Sequence, residues 1–103
     1  MANSFKLEII TPSKLFYDGE VEHLIIKTPQ GYEGFMADHT WTCKLLDAGK
    51  LRFRERGAGE DDWKEASAAG GFIDIKDDVV VYTDAIEWDR GTEKRRSRTI
   101  SKE

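Results

Sequence analysis

The chain is written in short runs that alternate apolar and polar residues. This period of two limits its fold more than any other feature. Phe5-Lys6-Leu7-Glu8-Ile9 places Phe5, Leu7 and Ile9 on one face. Lys50-Leu51-Arg52-Phe53-Arg54 turns Leu51 and Phe53 inward and leaves its cations to water. Turn residues separate such runs. Pro12-Ser13 breaks the first, and Asp18-Gly19 reads as a hairpin between residues 15–17 and 21–28. In Pro29-Gln30-Gly31, proline presets φ and glycine supplies the positive φ of a type II turn. Residues 57–62 read as an acidic hairpin tip before a return strand at 63–67. Gly70-Gly71 predicts a bulge or a close backbone approach. Lys76-Asp77-Asp78 turns 73–75 back into 79–82, and consecutive apolar Leu24-Ile25-Ile26 reads as a strand covered on both sides. About ten short strands in this arrangement predict an all-β protein, an antiparallel β-sandwich of two sheets.

With 103 residues, the chain is one small domain. Only 39% of it is hydrophobic, which favours a thin, two-layered core. The expected sandwich covers residues 1–87. From residue 88 the alternation stops. Glu87-Trp88-Asp89 has the look of a helix start, but Gly91, Thr92, Ser97 and Thr99 are poor helix formers and no apolar stripe follows. Residues 88–103 are therefore expected to be a disordered or marginally helical tail. Residues 90–103 hold Arg90, Lys94, Arg95, Arg96, Arg98 and Lys102 against Glu93 and Glu103. That is a net +4 in a chain of net −4, so residues 1–89 carry −8. An acidic body of this kind repels nucleic acid and anionic membrane surfaces. Cys43 is the only cysteine, so no internal disulfide forms. No run approaches the roughly 20 apolar residues that span a bilayer.

The chemistry-bearing residues are few. Asp38-His39 with Cys43 offers a base and a thiol. On a strand, positions 39 and 43 are too far apart for direct proton transfer at roughly 3.3 Å per residue, and 38 and 39 point apart. The β-branched and aromatic Thr40-Trp41-Thr42 favours that strand. His23 and His39 are the only histidines, without metal-ligand spacing. Gly31 to Gly34 forms a GxxG without the Lys-Ser/Thr of a phosphate loop. These patterns predict a non-catalytic chain with no cofactor and no metal. The two glycines read first as serving backbone geometry, and a loop so shaped can also present Tyr32 and Glu33 to a partner.

Five blocks, in order, resemble the epsilon subunit of F-type ATP synthases over residues 4–87. The first is Phe5-Lys6-Leu7-Glu8-Ile9-Ile10-Thr11-Pro12 followed by Leu15 to Val21. The second, Gly31-Tyr32-Glu33-Gly34-Phe35-Met36-Ala37-Asp38-His39, stands where that family has Gly-x-x-Gly-(Ile/Val)-(Leu/Tyr)-Pro-(Gly/Asn)-His. Leu46-Asp47-Ala48-Gly49-Lys50-Leu51-Arg52, Ala69-Gly70-Gly71-Phe72-Ile73-Asp74-Ile75 and residues 79–84 complete the series. The chain departs from the pattern at Ala37, where the family has proline, at Asp38, and at Lys44, where small or apolar residues are usual.

The resemblance implies a two-sheet sandwich in the central stalk, binding the gamma subunit and the ring of c subunits. By position it assigns Gln30, Gly31, Tyr32 and Glu33 to the c-ring-binding loop. It assigns Thr11, His39, Thr42 and Cys43 to the gamma-subunit interface. It implies a rotor part that couples ion transport to ATP synthesis. Such a part lies on the cytoplasmic face of a cell membrane, most simply a bacterial one, and meets that membrane only through its partners. Family members carry a helical inhibitory domain after the sandwich, and the residues after Glu87 are expected to be too few to form it. The other reading of the residues is a stand-alone sandwich adaptor that binds an anionic partner through its basic tail.

Overall fold

The computed structural model describes residues 4–89. Nine strands fill this stretch: β1 (Phe5–Ile10), β2 (Leu15–Thr28), β3 (Gly31–Phe35), β4 (Thr42–Leu46), β5 (Gly49–Glu55), β6 (Trp63–Ala68), β7 (Gly71–Ile75), β8 (Val79–Thr83) and β9 (Ile86–Trp88). Hydrogen-bonded neighbours run β4-β7-β8-β1-β2-β5-β6-β9, with β3 on β2. The fourteen-residue β2 serves both layers. Its first half pairs with β1, and its second half pairs with β5 and β3. One layer is thus β4-β7-β8-β1-β2 and the other β3-β2-β5-β6-β9. Edge strand β4 returns to the second layer, where the Asp47 N–H donates to the Lys27 carbonyl at 2.8 Å. Every pair is antiparallel except β1 with β8, which is parallel.

The inward faces are those the alternation marks. Leu7, Ile9, Leu24, Ile26, Leu51, Phe53, Ile73, Ile75, Val79 and Val81 are fully buried in one cluster. Each such side chain contributes roughly 1.5–3 kcal/mol of apolar transfer. Tyr17, Phe16 and Trp88 close one end over Phe53, with ring centroids 4.5–6.3 Å apart.

Several local expectations are corrected. Asp18-Gly19 is not a hairpin. It lies inside β2, where Asp18 and Gly19 pair with Glu8 and Leu7. The Tyr17 ring lies over Gly19, where a Cβ would meet the hydroxyl at 2.6 Å and would have to displace that ring. Pairing with β1 overrides the local turn chemistry, and this reduces ten strands to nine. Ile25 is only half-buried, beside Arg52 on the outer face, so β2 is covered on one side rather than both. Residues 40 and 41 precede β4 and are not strand. Residues 86–88 form β9 on β6, and the Asp89 N–H donates to the Glu65 carbonyl. Glu87-Trp88-Asp89 therefore opens no helix. From residue 90 the basic tail lies outside the described residues.

Candidate functional site: two exposed surfaces joined by an ion pair

The β2–β3 hairpin forms the first surface. Thr28 pairs with Gly31, so Pro29 and Gln30 are the corner residues. Gly31 has φ +114°, and no other residue of the corner is left-handed. The positive φ thus falls one residue beyond the place a type II turn requires, and the corner is not of that type. Tyr32 is 60% exposed on the outward side. Glu33 pairs with Ile26 and faces inward. Its Oε2 accepts from the buried Thr28 hydroxyl at 2.8 Å, and its Oε1 meets Lys44 Nζ at 3.1 Å. The Thr28 hydroxyl, then Lys44, hold the Glu33 carboxyl below its ordinary range. Of the four residues assigned to this loop, Gln30 and Tyr32 are exposed at the tip, Gly31 shapes the corner between them opposite Thr28, and Glu33 is engaged within the chain.

The second surface is the outer face of the β4-β7-β8-β1-β2 layer. Register places Leu45 beside Phe72, Phe72 beside Tyr82, Tyr82 beside Ile10, and Ile10 beside Leu15. These five apolar side chains make one row across five strands. Leu45 is 66% exposed and Leu15 52%, while Phe72 and Tyr82 stack at 4.8 Å. A groove of about 540 Å³ continues the row, lined by Pro12, Gly70, Phe72, Tyr82 and Asp84 among others. Exposed Cys43 lies on the same side of β4 as Leu45, while Thr42, also exposed, opens β4 on the opposite side, with Lys44.

The other two residues assigned to this surface also make contacts within the chain. Thr11 is 8% exposed, and its hydroxyl accepts the Lys14 N–H at 3.1 Å in the turn between β1 and β2. Both His39 ring nitrogens face backbone carbonyls, those of Met36 and Lys76, and its ring meets Phe5 edge-on at 5.0 Å. Trp41 Nε1 donates to Asp77 at 3.2 Å. His39 and Trp41 therefore tie residues 36–41 to the β7–β8 turn. No hydrogen bond joins His39 to Cys43, and the described residues contain no His/Cys/Asp/Glu group suited to a metal. No helix among them is long and apolar enough to cross a membrane.

The outer face of the other layer is different. Arg52 and Arg54 lie over Trp63 at 4.7 and 5.5 Å, and they pair with Glu65 and Glu22. Both arginines are thus paired with carboxylates of the same face, although the Nε of each lacks a well-aligned hydrogen bond. The apolar row was not recognised in the sequence. Its signal was present as outward apolar residues beside inward ones: Ile9-Ile10, Leu45-Leu46 and Phe72-Ile73.

The family model for the beta-sandwich domain of the ATP synthase delta/epsilon chain matches residues 4–89. The ATP synthase epsilon chain of Alkaliphilus metalliredigens (strain QYMF) is 40% identical over 85% of this chain and 63% of its own length. That of Caldanaerobacter subterraneus subsp. tengcongensis is 38% identical over 85% and 62%. The chain thus spans a little under two thirds of these relatives. A similar fold occurs in the Euglena gracilis mitochondrial ATP synthase (OSCP/F1/c-ring), with TM-score 0.75 and 20% identity over 97% of this chain and 68% of that one. Another occurs in the Tetrahymena thermophila mitochondrial ATP synthase (central stalk/c-ring), with TM-score 0.67 and 16% identity over 81% and 65%. With the match running through every described strand, the chain belongs to the ATP synthase delta/epsilon chain family and carries its beta-sandwich domain.

Proposed function

We propose that this chain is a non-catalytic rotor subunit of an F-type ATP synthase, holding the gamma subunit on the c-ring so that ion flow turns the central stalk. The observation that carries this reading is the apolar row Leu45, Phe72, Tyr82, Ile10 and Leu15. A small domain rarely leaves five apolar side chains contiguous on an outer face without a partner. In this reading gamma covers that row together with Cys43 and, around the edge of β4, Thr42, and the Gln30–Tyr32 tip meets the polar loops of the c-ring. Contact with the membrane, on its cytoplasmic face, is then through partners. The solved complexes of similar fold, a c-ring assembly and a central stalk, support the placement.

The test is co-assembly. Phe72→Ser with Tyr82→Ser removes the stacked, half-exposed pair, and a thermal melt establishes that the double variant is folded at the assay temperature. Aromatic anchors in an interface contribute about 2 kcal/mol or more on truncation. Capture of the gamma subunit is therefore expected to weaken by roughly thirtyfold or more. Unchanged capture by a folded double variant refutes the assignment of this face.

A further inference from the structure

Glu33 stands where the family resemblance expects a contact to the c-ring, yet both of its oxygens are used inside the chain. The Thr28 hydroxyl has one proton and three acceptors in reach: Glu33 Oε2 at 2.8 Å, the Gly31 carbonyl at 3.1 Å and Gln30 Oε1 at 3.5 Å. The carboxylate is nearest and, being charged, the strongest. The Thr28 oxygen in turn accepts the Gln30 N–H at 3.1 Å. Lys44 takes the other carboxylate oxygen.

The three residues come from three strands. Thr28 is on β2 and 2% exposed, Glu33 is on β3, and Lys44 is on β4. Lys44 stands between Cys43 and Leu45, on the opposite side of β4 from them. The chain of contacts therefore runs from the Gln30 amide at the hairpin tip, past buried Thr28 and across the partly exposed Glu33–Lys44 pair, to the strand that bears the apolar row. Apart from the Asp47 N–H to Lys27 carbonyl bond, it is the polar link between β4 and the β2–β3 hairpin among the described residues.

We infer that Thr28, Glu33 and Lys44 form an internal strut that fixes the pose of the hairpin tip relative to the β4 face, with Glu33 acting as a positioning residue within the chain and not as a ligand of a partner. The inference rests on the rotor reading for its consequence: a tip that meets one partner and a face that meets another transmit torque only if held rigidly together. Its geometry stands without that reading.

The experiment has two arms. In the full isolated chain, amide hydrogen exchange is followed by NMR for Glu33→Gln, Lys44→Met and Lys44→Arg. Losing a charged hydrogen bond is expected to speed exchange at Gln30 and its tip neighbours about tenfold in the first two variants. The β1 and β8 amides stay at wild-type rates, and Lys44→Arg restores the tip to within about twofold. In the complex reconstituted in vesicles, protons pumped per ATP hydrolysed are expected to fall alike in Glu33→Gln and Lys44→Met, and to recover in Lys44→Arg. Unchanged tip exchange in both variants overturns the strut. So does a loss of pumping in Glu33→Gln with none in Lys44→Met, because Glu33 would then be working on the partner. A wild-type chain that contributes nothing to pumping refutes the rotor reading alone, and the exchange arm still decides the strut.

Discussion

Gly71→Ala is the substitution whose cost can be worked most directly from the geometry. Gly71 opens β7 with φ +147°, opposite Thr83 on β8. A Cβ built there falls 2.0 Å from the Tyr82 carbonyl oxygen, 3.0 Å from its carbon and 3.1 Å from Thr83 Cα. All three are backbone atoms, so no side-chain rotation relieves the clash. β7 must move off β8 by about 1 Å or more. That movement strains the adjoining ladder and the 2.6 Å bond from the Thr83 hydroxyl to the Gly70 carbonyl, each worth about 1 kcal/mol. The positive φ adds about 1–2 kcal/mol for a residue with a Cβ.

The sum is about 3–4 kcal/mol. A domain this size has roughly 5–10 kcal/mol in all, and each kcal/mol moves its melting temperature by about 4–8 °C. Thermal and urea unfolding, followed by circular dichroism, are expected to show a fall of at least about 12 °C. Gly57→Ala is the control. Gly57 also has positive φ, at +83°, but a Cβ there meets nothing within 4 Å. It is expected to cost about 1–2 kcal/mol. If the two variants lose the same stability, close approach at Gly71 contributes nothing and the reasoning fails.

Two further outcomes follow from the described geometry. Asp38 is the one non-glycine residue with positive φ among those described, at +71°. Asp38→Gly is expected to stabilise the chain by about 0.5–1 kcal/mol, read as a rise of a few degrees in melting temperature. Burial, then Arg54 and Arg52, lower the His23 pKa from its ordinary 6.5. A neutral ring is thus favoured in the folded state. His23's contribution is complete above pH 6.5 and is lost as pH falls through the lowered folded value. His23→Gln is expected to flatten stability between pH 7 and 5, and an equally steep profile in that variant would refute the assignment.

The core was legible because burial follows a period of two. Phe5, Leu7 and Ile9, and Leu51 with Phe53, are buried as their positions predict. Gly31 at a tight corner and Gly71 against a neighbouring strand were legible because few other residues fit there. What was missed depends on partners distant in the chain. Asp18-Gly19 has hairpin chemistry, but β1 pairs across it and Tyr17 covers the glycine. The parallel pairing of β1 with β8 joins residues some seventy positions apart, which no local pattern records. Glu33 read as free because its partner Lys44 stands on another strand, and only the return of β4 to the hairpin brings them together. The apolar row was hidden for the same reason. Each member is an ordinary outward residue until the register aligns all five.

Cys43 offers the most direct test, since it is native, exposed and set beside the row at Leu45. Its alkylation rate is compared in the isolated chain and in the assembled synthase, and a short thiol-to-amine cross-linker then identifies its neighbour by mass spectrometry. Strong protection in the complex, with gamma as the cross-linked chain, is the expected result. Equal rates in both states, or a cross-link to a chain outside the central stalk, would contradict the account.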